Sequence, residues 1–170
     1  GFVNYMHLRN DVMQSLKSND SELIVTTFVD YFRIPKSRMP ERELWMDEQN
    51  HYIQVQMMEE AIARDIDDRR FIPYIQMHEF EALLFSSKRG FATYWNEKQV
   101  EKLQKVIDTF ACPEDINTNP DGAPSKRLLA INSSYNKVVD GNIVALEVGI
   151  ETMLDACPKF RRWIENLINV

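Results

Sequence analysis

No stretch of this sequence approaches the roughly 18 consecutive apolar residues of a membrane span, and no basic-then-apolar leader opens it. A cytoplasmic protein without membrane contact is therefore expected. Positive charge is also short. Lys and Arg number 20 against 26 Asp and Glu, a net charge of −6, which argues against general coating of nucleic acid, because that depends on cations displacing phosphate counterions. Local basic clusters remain, Lys126 with Arg127 and Lys159 with Arg161 and Arg162, and solvated helix faces account for such clusters as readily as a phosphate track does. Cysteine is nearly absent. Cys112 and Cys157 each precede a proline, and with no zinc spacing two free thiols are expected rather than a disulfide. There is no repeat, heptad array or low-complexity tract. What is present, 44% hydrophobic and 27% charged residues in a chain of 170, suffices for one soluble domain with a full core.

The densest information lies from Phe71 to Phe85, FIPYIQMHEFEALLF. Phe71, Ile72, Tyr74, Ile75 and Met77 form a short β-branched and aromatic run, which predicts a central strand of a parallel sheet. It breaks on His78, Glu79 and Glu81. In an open α/β sheet the functional crevice lies beyond the carboxyl ends of the strands, so these three are candidate site residues. The alternative is structural: Glu79 sits at a helix start, where the dipole favours it by ~0.3–1 kcal/mol, and Phe80, Leu83, Leu84 and Phe85 pack. His78 reads either as a core histidine or as a group that orients a carboxylate or accepts a proton.

Leu23 to Val29, LIVTTFV, is a second near-continuous run of the kind covered on both faces, and Asp30 follows at once. Burying an unpaired carboxylate costs several kcal/mol. Asp30 therefore either caps a turn ahead of Pro35 or meets a cation. Parallel pairing would bring Asp30 and the Glu79 region to one edge, and Asp30, Glu79 and Glu81 then form an oxygen set suited to Mg²⁺.

TTFVDYFRIP (Thr26 to Pro35), FIPYIQMHEFEALLF, APSKR (Ala123 to Arg127) and CPKFRRWI (Cys157 to Ile164) together resemble an uncharacterised bacterial family, domain of unknown function 4276, over most of the chain. The resemblance implies a Toprim-like α/β fold, shared by topoisomerases, primases and overcoming-lysogenization-defect nucleases. It also implies a Mg²⁺- or Mn²⁺-dependent nuclease or phosphodiesterase acting on DNA or RNA, in a two-component, anti-phage system with an ATPase of the ABC or AAA kind. Glu79, Glu81 and His78 would be catalytic, with Asp30, Glu79 and Glu81 on the metal. A Toprim site further needs a glutamate from an early Gly-rich strand-turn segment, so the family's domain is expected to begin before Gly1-Phe2-Val3, and this stretch alone is expected to show little activity. Where Toprim proteins carry Asp-x-Asp, Asp30 is followed by Tyr31 and Phe32. That departure favours a second reading, a non-catalytic module whose helical half, with Phe160 and Trp163, docks on the ATPase. A small-molecule phosphatase using the same acids is a third.

Coarse element reading gives a helix from Asn10 or Asp11 to Leu16, a long amphipathic helix from about Asp47 to Ile66 with Val55, Met58, Ile62 and Ile66 on one stripe, and a helix through Val100, Leu103 and Phe110. Glu59 and Glu60 lie on the long helix and either extend the acidic site or face solvent. The loop from Cys112 to Ser125 holds most of the turn formers. Helices are expected after Pro124, from Ile143 to Leu154 following Asp140-Gly141, and through Phe160 to Ile168. The fold class is thus α/β, a small parallel-sheet core over residues 1–90 with a helical C-terminal extension over 91–170 packed on it. Ser125, Lys126 and Arg127 at a helix start form a candidate phosphate site, with Asn117 and Tyr135 as weaker members. Equally, Ser125 caps the helix and the two cations face water.

Overall fold

The computed structural model describes residues 3–32, 34–116 and 120–169, and the chain forms two units, Gly1–Met77 and His78–Val170. The first is α/β. Helix α1 (Tyr5–Ser15) starts well before the expected Asn10 or Asp11, because Asn4, with φ −165°, is extended and its side chain accepts the His7 amide. Asn10 and Asp11 lie inside the helix.

The apolar run after Leu23 yields β1 (Val25–Thr26) and β2 (Val29–Asp30); α2 (Arg42–Trp45) and α3 (His51–Ile66) follow, and the run from Phe71 yields β3 (Phe71–Ile72) and β4 (Ile75–Gln76). β1 pairs with β3 and β2 with β4, both parallel, as the sequence predicts, but each pair is a two-stranded sheet, so among the described residues the run from Phe71 is not the central strand expected of it. Val25 lies opposite Phe71 and Val29 opposite Ile75, the same offset on both sides of a gap. The two pairs are therefore one ladder interrupted at Pro73, which has no N–H to give. A side chain fills the interruption. The Thr27 hydroxyl accepts the Tyr74 N–H at 2.9 Å and donates to the Tyr74 carbonyl at 3.1 Å. Thr27→Val keeps the volume and strands that amide, so a loss of about 1–2 kcal/mol is expected in chemical denaturation; unchanged stability would mean the hydroxyl does not join the ladder.

α3 begins at Asn50, whose side chain accepts the Tyr52 and Ile53 amides, so the helix is shorter than the stretch predicted from Asp47. Its predicted stripe, Val55, Met58, Ile62 and Ile66, is buried. Trp45, Ile75 and Met77 join it in the core. Gln54, also buried, donates to the Trp45 and Glu48 carbonyls at 3.0 and 3.1 Å and accepts from the Lys36 ammonium at 2.8 Å, tying α2 to α3. Glu59 belongs to this scaffold, accepting the Ile75 amide at 2.7 Å, while Glu60 is exposed and lies 3.8 Å from Arg64.

The second unit is helical: α4 (Glu81–Leu84), α5 (Arg89–Ala92), α6 (Glu97–Ile107), α7 (Pro124–Ile131), α8 (Val139–Val148), α9 (Ile150–Ala156) and α10 (Pro158–Ile168). Asn96 and Gln99 close a reciprocal capping box on α6. Proline opens α7 and α10, where its missing N–H is no loss. The helix expected from Ile143 to Leu154 is two, because Gly149 adopts φ 77°, and Asp140-Gly141 falls inside the first turn of α8 rather than before it. Leu83, Leu84, Phe91, Leu103, Leu128, Val144 and Phe160 supply the core. Buried Glu114 caps α10 from a distance, accepting the Lys159 and Phe160 amides at 2.9 and 3.0 Å. Neither Cys112 nor Cys157 is in a disulfide. Among the described residues, no helix is long and apolar enough to cross a membrane.

Candidate functional site

The site of the second unit is built at its first residues. His78 turns the chain with φ 62°, in the left-handed region that histidine enters more readily than most residues with a Cβ. Backbone outliers of this kind concentrate at functional sites. His78 and Glu79 are nearly buried and Glu81, the first residue of α4, is fully so.

Each glutamate reaches another segment of the unit through one oxygen. Glu79 Oε2 accepts the Ser125 amide at 2.9 Å in the first turn of α7, so the anion at that helix start is Glu79 itself. Glu81 Oε2 accepts the Lys137 ammonium at 2.8 Å, and the Lys137 side chain is 52% exposed against 0% for Glu81. The other Glu81 oxygen, Oε1, is buried with no hydrogen-bond partner, and so is the Tyr135 hydroxyl. A Cβ on residue 141 would lie 3.1 Å from that hydroxyl; Gly141 leaves it room.

The charges agree with the geometry. Burial pushes the Glu81 carboxyl above the ordinary glutamate range, Lys137 opposes the shift, and the negative charge of Glu79 adds to it. Tyr135 is pushed up by burial first and then by Glu81, Asp140 and Glu79. A desolvated carboxylate with an unmet oxygen, a second carboxylate and a phenol form an all-oxygen donor set. Such a set can accept a hard cation, move a proton, or serve as a charged element of the scaffold.

The remaining predicted residues fall around or apart from this cluster. Lys126 is exposed, and the Arg127 guanidinium donates to the Gly122 carbonyl at 2.7 Å and stacks 5.0 Å from the Phe110 ring centre. A phosphate at Ser125 would compete with Glu79 for the amide. Asp30 stands in the first unit at the end of β2, opposite Gln76. Asn117 lies outside the described residues, as do Gly1 and Phe2. A lone lysine in NSSYNKVV has no pattern to mark Lys137, and the sequence groups Tyr135 with the phosphate surface rather than with the acids.

Mg²⁺ takes oxygen ligands, needs only one or two carboxylates, and keeps several waters. Glu79 and Glu81 fit that requirement, with Glu81 Oε1 unmet. Among the described residues no group of three or more His, Cys, Asp or Glu forms a metal cage, so water or substrate oxygens would complete the coordination.

The family model described as "Domain of unknown function (DUF4276)" matches residues 2–168. No curated protein and no solved structure matches the chain.

Proposed function

The chain belongs to the DUF4276 family, and on that premise we propose that it is the Mg²⁺- or Mn²⁺-dependent nuclease or phosphodiesterase component of an ATPase-linked, anti-phage system, with a Toprim-like core. The observation that carries the reading is the unmet oxygen of Glu81. Lys137 answers one oxygen of this fully buried carboxylate and leaves the other without a hydrogen bond, and an unmet buried oxygen is costly to keep. Glu79 and Glu81 would hold the ion, which when bound polarises a phosphate and activates water. Lys137, reaching Glu81 through a half-exposed side chain, supplies positive charge at the mouth of the site and can follow a phosphate oxygen. The Tyr135 hydroxyl stays protonated at neutral pH, because both burial and its acidic neighbours raise its pKa. It is thus a donor toward developing negative charge. The ATPase partner and the defence role rest on the family resemblance.

A specific observation favours the second reading, a non-catalytic module that docks on the ATPase: Glu79 and Glu81 each already have a protein partner, the Ser125 amide and Lys137. Cleavage of DNA and RNA by the intact protein with its ATPase, in Mg²⁺ and Mn²⁺, separates the two. The nuclease reading predicts that Glu81→Gln and Glu79→Gln each lower the rate at least a hundredfold, about 2.7 kcal/mol, with folding intact. Unchanged cleavage in both variants would reject it.

A further inference from the structure

We propose that the cavity between the end of α5, the end of α7 and the start of α8 is a nucleobase-binding pocket. Its volume is about 230 Å³, below the usual range of roughly 300–1,000 Å³ for drug-sized ligands. One planar ring fits; a nucleotide with its sugar and phosphate must extend outward.

The lining has the two components that base recognition needs, aromatic faces and polar atoms of both hydrogen-bonding senses. Tyr94 is 56% exposed at the lip, offering a ring on which a base can stack, and Trp95 is nearly buried in the wall, held by Phe91 at a ring separation of 4.6 Å. Opposite stand Asn132, Ser134 and Asp140. Each acid or amide is fixed by one oxygen and leaves the rest available. Asn132 Oδ1 accepts the Ser134 amide at 3.1 Å and Asp140 Oδ2 the Asn136 amide at 2.7 Å. Asn132 Nδ2, Ser134 Oγ and Asp140 Oδ1 have no hydrogen bond to the described residues. A carboxylate acceptor and an amide donor in one lining supply both senses of hydrogen bond that the Watson–Crick edge of a base presents. Asp140 also links the pocket to the acidic cluster, since its charge acts on Tyr135 together with those of Glu81 and Glu79.

The pocket deepens the phosphodiesterase reading by naming what its substrate carries, and rests on that reading for its purpose; its test needs no metal. Deoxynucleosides and ribonucleosides, a short single-stranded oligonucleotide and deoxyribose 5-phosphate are titrated into the protein in EDTA, following the Trp95 indole signal by NMR. Nucleosides should shift Trp95 and the sugar phosphate should not. Tyr94→Ala, at an exposed position, should weaken nucleoside binding about tenfold through lost stacking, and Asn132→Ala should weaken it comparably while Trp95 stays folded. Tighter binding of the oligonucleotide than of any nucleoside identifies a nucleic-acid chain as the source of the base; equal binding identifies free nucleotides. No shift of Trp95 with millimolar nucleosides, equal response to the sugar phosphate, or full binding by both variants would overturn the assignment. Because nucleoside binding is read in EDTA, failure of the metal reading leaves this result standing, and the reverse.

Discussion

Gly90→Ala is expected to destabilise the second unit by about 1–3 kcal/mol, the usual cost of forcing a methyl into a filled core, and Gly90→Val by more. Replacing glycine by alanine inside a helix normally gains about 0.8–1 kcal/mol. Here space decides against it. A Cβ on residue 90 would lie 2.7 Å from Val148 Cγ2 and 2.8 Å from the Val144 carbonyl oxygen, and neither a β-branched side chain nor a helix backbone yields cheaply. α5 lies directly on α8 because residue 90 has no side chain. For a unit of about a hundred residues, each kcal/mol is worth roughly 4–8 °C in Tm. Calorimetry of Gly90→Ala should show a fall of that order or greater; a rise would mean the helices are not in contact at this point.

Removing Lys137 should cost more than removing the charge it faces. Lys137→Met leaves the fully buried Glu81 carboxyl with neither oxygen answered by a cation and removes the charge that lowers its pKa, so the group is either ionised and unpaired or takes up a proton, a loss of about 3 kcal/mol at neutral pH. Glu81→Gln removes the desolvated charge and keeps the shape, so its stability at pH 7 should match or exceed that of the natural protein. The pH dependence follows from the sign of the shifts. Glu81 and Glu114 have pKa values raised by burial above the ordinary 4.5, so between 4.5 and the raised values the folded state binds more protons than the unfolded one. Their contribution is complete below about 4.5 and is lost as pH rises through the folded pKa. Stability of the natural protein should therefore fall on going from mildly acidic to neutral pH, and Lys137→Met should recover on acidification. Glu81→Gln should flatten the curve, leaving the part that belongs to Glu114. Equal losses for Lys137→Met and Glu81→Gln, with parallel pH curves, would show that Glu81 is not desolvated.

The two strand runs and their parallel direction are legible in the sequence, because the runs from Leu23 and Phe71 have no helical period and each stops at polar residues; the register and the division into two-residue pairs are not. The interruption at Pro73 and its repair by Thr27 were not, since a hydroxyl's partner across 47 residues leaves no local mark. Helix ends were misplaced where a cap competes with periodicity: Asn4 and Asn50 each start a helix that apolar spacing places elsewhere, and Gly149 divides one. In the candidate site, Glu79 and Glu81 stood out by their abrupt position after an apolar run. Their partners did not. Ser125 and Lys137 lie 46 and 56 residues away, and only the packing of α4 against α7 and α8 brings them close. The same packing changes the reading of Ser125, whose amide serves a carboxylate of the protein.

Isothermal titration of Mg²⁺ and Mn²⁺ into the protein, the natural sequence beside Glu79→Ala and Glu81→Gln, decides whether the two glutamates hold a cation. A single class of sites that weakens at least tenfold in both variants, with their fold unchanged, is the result predicted for a hard-cation centre on Glu79 and Glu81. Absence of binding, or binding that both substitutions leave intact, would contradict it and leave the two glutamates as elements of the scaffold.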